Sequence, residues 1–174
     1  MLYFLFFILF LSLISILIFF SYQIYTIFFQ PGAVFFPTTD ISVNEMLKIS
    51  HLTSKDILVD LGSGDGRILI AAARLGARAI GYEINPFLVW QSRQLIKQLK
   101  LDKLATVKWK SFWQTDFGRA TVVTVYLFPQ LMNRLQKLIE KKVKHPLRVV
   151  SNNYPFPGLT PVKKSKNIYL YYFK

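Results

Sequence analysis

The chain has 174 residues, which suffices for one compact domain and one membrane segment rather than two large domains. It carries 22 lysines and arginines against nine acidic residues, a formal net charge of +13. There is no cysteine, which excludes disulfides, thiolate nucleophiles and zinc–thiolate sites. The histidines, His51 and His145, stand alone without metal-ligand spacing, so no metal is expected.

The first 39 residues contain no charged side chain, and residues 2–29 are almost continuously apolar. About 20 such residues cross a bilayer, so we predict a transmembrane anchor over residues 1–29. A cleaved signal peptide would need a basic start, a shorter apolar core and a small-residue cleavage site, and none is visible. Because lysines and arginines follow the anchor, we expect the remaining domain on the cytoplasmic side.

A linker and a short helix are expected next. Residues 30–41 contain Pro31 and Gly32 and are interpreted as the linker, with the folded domain over 42–174. The spacing of Ser42 and Glu45 predicts a capping box, so a helix should begin near residue 43.

A glycine-rich run follows the first strand-like segment. Residues 57–61 predict a buried strand, the run 60–66 is D-L-G-S-G-D-G, and residues 65–75 have a helical pattern. Glycine suits such a turn because a Cβ would block the tight bend and the approach of a ligand. The dinucleotide pattern G-x-G-x-x-G does not fit, because Arg67 stands where its last glycine would be.

The rest of the chain alternates strand and helix. Further strands are predicted over 79–84, 105–109, 121–127, 147–151 and 168–173, with helices from Pro86 and over about 130–144. The last strand could pair with 160–165. This alternation predicts an α/β fold: a doubly wound, mostly parallel seven-stranded sheet, preceded by one N-terminal transmembrane helix.

The form D-x-G-x-G-x-G resembles the class I S-adenosylmethionine (SAM) methyltransferases, and this resemblance implies SAM as the cofactor. Glu83, at the tip of the next predicted strand, can accept hydrogen bonds from both ribose hydroxyls. NAD sites share that requirement, so Glu83 alone does not discriminate. An ordinary strand–helix turn without a ligand is the remaining alternative for the glycine run.

The resemblance also implies roles along the carboxyl ends of the strands. The expected cofactor-binding residues are Asp60, Leu61, Gly62, Ser63, Gly64, Gly66, Glu83, Ile84, Ser111 and Phe112. The ends of the fourth and fifth strands would face the transferable methyl group. The expected catalytic residues there are Tyr126, Pro129, Gln130, Asn152 and Tyr154.

The resemblance narrows where later segments are included. A membrane segment, the glycine run, F-P-Q-L-M at 128–132 and Y-P-F-P at 154–157 are together similar to a family of single-pass protein-lysine methyltransferases. Its mitochondrial members modify the ADP/ATP carrier and the c subunit of ATP synthase. The family implies a lysine of a membrane protein as the acceptor. Two alternatives are a methyltransferase of a lipid or small amphiphile, and a non-catalytic SAM-binding module that recruits a partner.

The positive charge is expected to attract the anionic inner leaflet of the bilayer. Nucleic acid and an acidic protein are the alternative partners for such a surface. Enzymes that methylate exocyclic base nitrogens resemble one another in an Asn/Asp-Pro-Pro-aromatic sequence after the fourth strand. This chain has Y-L-F-P at 126–129, so a nucleic-acid substrate is not expected.

Overall fold

The computed structural model describes residues 2–28 and 36–174. The chain divides into two compact units, Met1–Val34 and Phe35–Lys174. Met1 and residues 29–35 lie outside the described residues, and with them the end of the predicted anchor and the first half of the predicted linker.

The described residues of the first unit form the helix α1 (Leu2–Phe28). Its segment Tyr3–Tyr22 is 20 residues long and is apolar enough to cross a membrane. At 1.5 Å per residue this length corresponds to about 30 Å, the thickness of the hydrocarbon core. The predicted N-terminal helix is therefore confirmed, whereas its insertion and orientation in a membrane remain predictions.

The second unit is built on a seven-stranded sheet, as predicted. Its strands are β1 (Ile57–Leu61), β2 (Arg78–Glu83), β3 (Ala105–Trp109), β4 (Val122–Val125), β5 (Leu147–Asn152), β6 (Lys163–Ser165) and β7 (Ile168–Phe173). The order is β3-β2-β1-β4-β5-β7-β6, with β7 antiparallel to both of its neighbours. β4 is shorter than expected at both ends. Pro129 opens the next helix, so Tyr126 and Leu127 already belong to the turn.

Helices connect the parallel strands. The connecting helices are α3 (Arg67–Arg74), α4 (Pro86–Gln98) and α5 (Pro129–Lys142), with a 3₁₀ turn at Phe112–Gln114 between β3 and β4. A further helix, α2 (Asp40–Ile49), precedes β1. The chain moves from β1 through β2 to β3 in one direction, and from β4 to β5 in the other. Because such crossovers are right-handed, α3 and α4 cover one face of the sheet and α5 covers the opposite face.

The start of α2 differs from the prediction. The helix begins at Asp40, and the Thr39 side chain accepts a hydrogen bond from the Ser42 amide at 3.2 Å. The capping box predicted at Ser42 and Glu45 is therefore wrong, because both residues lie inside the helix. Thr39 satisfies one of the free amides of the first turn, which is the requirement that selects a cap.

The core alternates along the strands, as the period of a strand requires. On one face, Leu58, Val122 and Val150 pack with α2, α3 and α4 and are fully buried. The residues between them point to the opposite face. There α5 contributes its own fully buried side chains, Met132, Leu135 and Ile139.

The central strands β1 and β4 define where a ligand would bind. They are neighbours, yet the connections that follow them leave in opposite directions. In doubly wound sheets ligands occupy the crevice beyond the carboxyl ends of the strands at this switch point. A ligand is therefore expected to contact the residues that follow β1, β2, β4 and β5.

Candidate active site

The turn after β1 has left-handed backbone at three glycines, Gly62 (φ +87°), Gly64 (φ +53°) and Gly66 (φ +83°). A Cβ built on Gly62 would have nothing within 4 Å, so the space above that backbone is open. A Cβ on Gly66 would lie 3.0 Å from the Cβ of Ser92 in α4. Gly62 therefore leaves room for a ligand, whereas Gly66 lets α3 and α4 approach each other.

The turn is fastened to β2. The amides of Gly62 and Ser63 both donate to the Tyr82 carbonyl, at 2.9 and 3.0 Å. A Cβ on Gly81 would lie 2.4 Å from the Ser63 Oγ, so a side chain there would displace the turn. Gly81 was not singled out from the sequence. The available signal was a glycine in the interior of a strand, which often marks a close approach of backbone.

Glu83 ends β2 with its carboxylate held by three backbone amides. Its Oε2 accepts from Gly64 at 2.9 Å, and its Oε1 accepts from Ile84 and Asn85 at 2.8 Å each. A carboxylate offers roughly four acceptor positions, so this arrangement leaves room for about one further donor. A donor such as a sugar hydroxyl fits this place. Accepting a second one would require Glu83 to release one of the amides.

Asp60 is 4% exposed and accepts one hydrogen bond among the described residues, from Thr124 Oγ1 at 2.7 Å. Burial raises the pKa of Asp60 to about 7. The Thr124 hydrogen bond opposes this, and the carboxylates of Glu83 and Asp65 add to it. Thr124 was missed in the sequence, although a hydroxyl residue interrupts a run of valines there. The parallel register places it beside Asp60.

Acidic residues are concentrated at this place in an otherwise basic chain. Asp60, Asp65 and Glu83 are three of the nine carboxylates, in a protein of net charge +13. Their mutual repulsion contributes to the raised pKa of Asp60. A cationic ligand would relieve that repulsion. SAM carries both a sulfonium and an ammonium group, so the charge of the site and the open space at Gly62 fit it.

Arg67, the first residue of α3, connects the glycine turn to the segment before α2. Its guanidinium forms an ion pair with Asp65 at 2.6 Å and donates to the Thr38 carbonyl at 2.6 Å. Thr38 precedes α2, so this contact ties the segment before α2 to the glycine turn. α2 itself packs on α3 and on the sheet strands β5 and β7.

A second group of side chains follows β4 and β5. The rings of Tyr126 and Tyr154 lie 6.3 Å apart between centroids. Asn153, which has φ +72°, donates from Nδ2 to the Tyr126 hydroxyl at 3.3 Å. Asn153 was not among the expected site residues; its left-handed backbone becomes evident only in the folded chain. Asn152 ends β5 and is buried, and Pro129 opens α5 shortly after β4, the strand that neighbours β5.

The remaining expected residues have different environments. Leu61 is 1% exposed, so it contributes to the core as well as to the turn's backbone. Ser111 is half-buried and precedes the 3₁₀ turn, and Phe112 is buried against the Trp113 ring with centroids 4.6 Å apart. Gln130 is exposed in the first turn of α5. All the expected site residues lie at or after the end of one of five adjacent strands, from β3 to β5, at the same edge of the sheet.

The sheet order, the switch point and the glycine turn define a SAM-dependent methyltransferase, as expected. In agreement, residues 60–163 match the family model described as the ANTKMT methyltransferase domain. The chain belongs to this family.

Relatives support the same assignment. The chain is 37% identical over 127 residues to the human lysine N-methyltransferase of the ATP synthase c subunit, with 73% of this chain and 54% of that protein aligned. It thus spans about half the length of this relative. It is 33% identical over 135 residues to a protein-lysine N-methyltransferase of Saccharolobus islandicus, with 76% of this chain and 84% of the relative aligned.

A solved structure is similar over most of its length. It is the crystal structure of an RNA methyltransferase from Salinibacter ruber in complex with S-adenosyl-L-homocysteine. The TM-score is 0.74 at 33% sequence identity, over 79% of this chain and 92% of that one. Because that neighbour binds the demethylated product of SAM, the predicted cofactor is confirmed at the level of the family.

Proposed function

We propose that this protein transfers a methyl group from SAM to a lysine side chain of a membrane protein. The observation that carries the proposal is that two chemically different groups of side chains lie at the same edge of the sheet. An acidic, glycine-lined crevice follows β1 and β2, and a tyrosine-lined rim follows β4 and β5. The first suits a cationic cofactor and the second suits an amine acceptor.

The residues proposed to bind the cofactor are Asp60, Glu83 and the glycine turn. Ser111 and Phe112 are proposed to lie beside the adenine ring of SAM. When bound, SAM supplies an electrophilic methyl group that is displaced in line by the acceptor. The protein's contribution is then mainly alignment, which can lower a barrier by about 7–11 kcal/mol. The backbone hydrogen bonds that connect the glycine turn to β2 and hold the Glu83 carboxylate keep the cofactor-binding residues in fixed positions.

The acceptor must reach the methyl group as a neutral amine. A free lysine titrates near pH ~10.4, and aromatic walls that exclude water lower that value. Tyr126 and Tyr154 provide such walls, and Asn153 fixes the Tyr126 hydroxyl. Asn152, Pro129 and Gln130 are proposed to shape the same rim.

The membrane part of the proposal depends on α1, whose apolar segment has the length of a bilayer core. Lysines and arginines occur only after this segment, which favours a cytoplasmic location for the domain. Both relatives described above are named for lysine methylation, and the human one is named for the c subunit of ATP synthase. A tethered enzyme meets membrane proteins at a high effective concentration.

The test is to incubate the full chain and isolated membranes with SAM labelled in its methyl group. Label recovered as methyl-lysine in protein supports the proposal. Label in the organic extract would indicate a lipid or small amphiphile, and label in RNA would indicate the acceptor class named for the Salinibacter ruber relative. Binding of SAM without any transfer would indicate a recruiting module.

The rim can be tested with a matched pair of variants. Tyr126→Phe removes the hydroxyl that accepts from Asn153. It should lower methyl transfer by roughly 3–10-fold at an unchanged SAM dissociation constant, because one hydroxyl contact is worth about 0.5–1.5 kcal/mol. Tyr172→Phe alters an exposed tyrosine on β7 and should leave the rate unchanged. Equal rates for both variants and the parent would show that the Tyr126 hydroxyl has no part in the transfer.

A further inference from the structure

Three large aromatic side chains are exposed where α4 begins and β3 ends. Phe87, Trp90 and Trp109 are 61%, 58% and 65% exposed, and we refer to them as the aromatic patch. The Phe87 and Trp90 rings lie 6.0 Å apart, one turn from each other on α4. Trp109 donates from its indole Nε1 to the Ile84 carbonyl at 3.0 Å, which holds it beside the loop that opens α4.

The patch is rigidly presented. Asn85 caps α4 by accepting from the Phe87 amide at 3.0 Å, and Pro86 occupies the first turn. The Trp109 indole N–H is already satisfied, so its ring needs no polar partner. Single exposed apolar residues are ordinary on a soluble surface, but larger exposed apolar patches mark contact surfaces.

The surrounding segment is strongly basic. Residues 84–115 contain all three tryptophans of the chain, at 90, 109 and 113. The segment carries six cations and one acid, which gives 6 − 1 = +5. The cations are Arg93, Lys97, Lys100, Lys103, Lys108 and Lys110, and the acid is Asp102. Lys97, Lys100 and Lys103 lie at the far end of α4 or beyond it, and the Lys108 ammonium lies over the Tyr82 ring. The cations next to the patch along the chain are Arg93, one turn after Trp90, and Lys110, which follows Trp109. Exposed aromatic rings beside such cations match the headgroup region of an anionic membrane.

We propose that the aromatic patch inserts into the interface of an anionic bilayer. Tryptophan is favoured at that depth. Trp90 can place its apolar ring and its N–H there, and the Trp109 ring can enter without leaving an N–H unpaired, because that N–H donates to the Ile84 carbonyl. Each nearby lysine or arginine adds about 1 kcal/mol of attraction to an anionic leaflet. A bilayer is favoured over a protein partner because the same chain carries a helix able to cross one.

The position of the patch has a consequence for the site. Ile84 and Asn85, which border the patch, donate their amides to Glu83 at the carboxyl edge of the sheet. Insertion of the patch would therefore bring this edge to the membrane surface. That consequence rests on the proposed function, but the insertion itself does not.

The test uses the full chain incorporated into nanodiscs that contain anionic phosphatidylglycerol brominated on the acyl chain near the headgroup. Bromine quenches tryptophan only at close range, so single-tryptophan variants report each position. Trp109→Phe with Trp113→Phe leaves Trp90, and Trp90→Phe with Trp113→Phe leaves Trp109. Both should lose roughly half or more of their emission relative to unbrominated lipid, as expected for side chains buried in the interface.

Trp113 is the internal control. It is half-buried, with the Arg134 guanidinium 4.2 Å above its ring, and the variant retaining only Trp113 should be quenched little. Absence of quenching at Trp90 and Trp109, or equal quenching at all three positions, would overturn the proposal. Methyl transfer measured on the same nanodiscs separates the two hypotheses. Transfer without quenching overturns the patch alone, and quenching without methyl-lysine overturns the lysine acceptor alone.

Discussion

The two ends of β1 each carry an aspartate, and their environments are opposite. Asp56, just before the strand, accepts from the Thr53 amide and hydroxyl at 2.7 and 2.9 Å and from Thr121 at 2.7 Å. It also pairs with Arg148. Asp60, near the far end, has one described hydrogen bond, from Thr124. Both carboxylates are buried, so the difference lies in the number of partners.

The pKa values follow from those partners. Burial by itself would raise the pKa of Asp56, but hydrogen bonds from Thr121 and Thr53 and the charge of Arg148 outweigh it and lower the pKa. For Asp60 burial is the larger effect, and the pKa rises to about 7. Asp56, which stabilises the fold, has its hydrogen-bond partners within the protein. Asp60, which is proposed to bind a ligand, keeps acceptor positions available for that ligand.

The largest expected effect is on stability at Asp56. Asp56→Ala removes the carboxylate partner of the half-buried Arg148, which keeps only its contacts with the Ser50 and His51 carbonyls, and three further hydrogen bonds. The free energy of unfolding should therefore fall by about 3 kcal/mol. Thermal and urea unfolding of the full chain in detergent would measure it. The folded fraction should still bind SAM with the parent's affinity. A loss below about 1 kcal/mol would contradict the structural role of this carboxylate.

Asp60→Asn should have the opposite effect: it should weaken SAM binding without lowering stability. The amide oxygen can still accept from Thr124, and no charge is buried, so stability near pH ~8 should not decrease. SAM affinity, measured by isothermal titration, should weaken by roughly 10–100-fold, which corresponds to about 1.5–3 kcal/mol for a charged hydrogen bond. If Asp60→Asn unfolds as readily as Asp56→Ala while binding SAM normally, the two ends of β1 do not differ as described.

Comparing Gly62→Ala with Gly158→Ala separates the effect of backbone strain from the effect of filling the proposed ligand space. Gly62 and Gly158 both have positive φ, +87° and +72°, with nothing within 4 Å of a built Cβ. Alanine at either position should cost about 1–2 kcal/mol of stability through strain alone. Only Gly62→Ala should also weaken SAM binding, because its methyl group enters the proposed ligand space. Parallel losses of affinity in both variants would argue against that placement.

Stability in the absence of SAM should also depend on pH. The raised pKa of Asp60 means that the folded state holds a proton that the unfolded state has lost above about pH 4. Stability should therefore fall as the pH rises toward and through about 7, by at most about 1.4 kcal/mol per pH unit. Asp56, whose pKa is lowered, contributes nothing to the slope there and loses its contribution only in acid.

The measurement is the difference in unfolding free energy between the parent and Asp60→Asn from about pH 5 to about pH 8. Taking the difference removes the titration of groups that do not interact with Asp60. A difference that does not change with pH would show that Asp60 is ionised throughout this range.

Much of this organisation was predictable because local rules govern it. Asn85 and Pro86 predicted the start of α4, and the structure confirms the cap and the proline in the first turn. The strand Ile57–Leu61 and the glycine run after it were predicted from apolar patterning and from the need for positive φ. The prediction of a cap at Ser42 failed because Thr39 and Ser42 are both residue types that cap helices, and in the folded chain the Ser42 amide donates to the Thr39 side chain.

The sequence by itself determined the family, the SAM-type turn at residues 60–66 and the order of strands and helices, because short-range sterics and periodicity encode them. Tertiary structure alone decided the partners: Thr124 beside Asp60, Arg67 on the Thr38 carbonyl, Asn153 on Tyr126. These pairs depend on strand register and on crossovers between distant segments. Local patterns do not specify that geometry, and the titration of Asp60 follows from it.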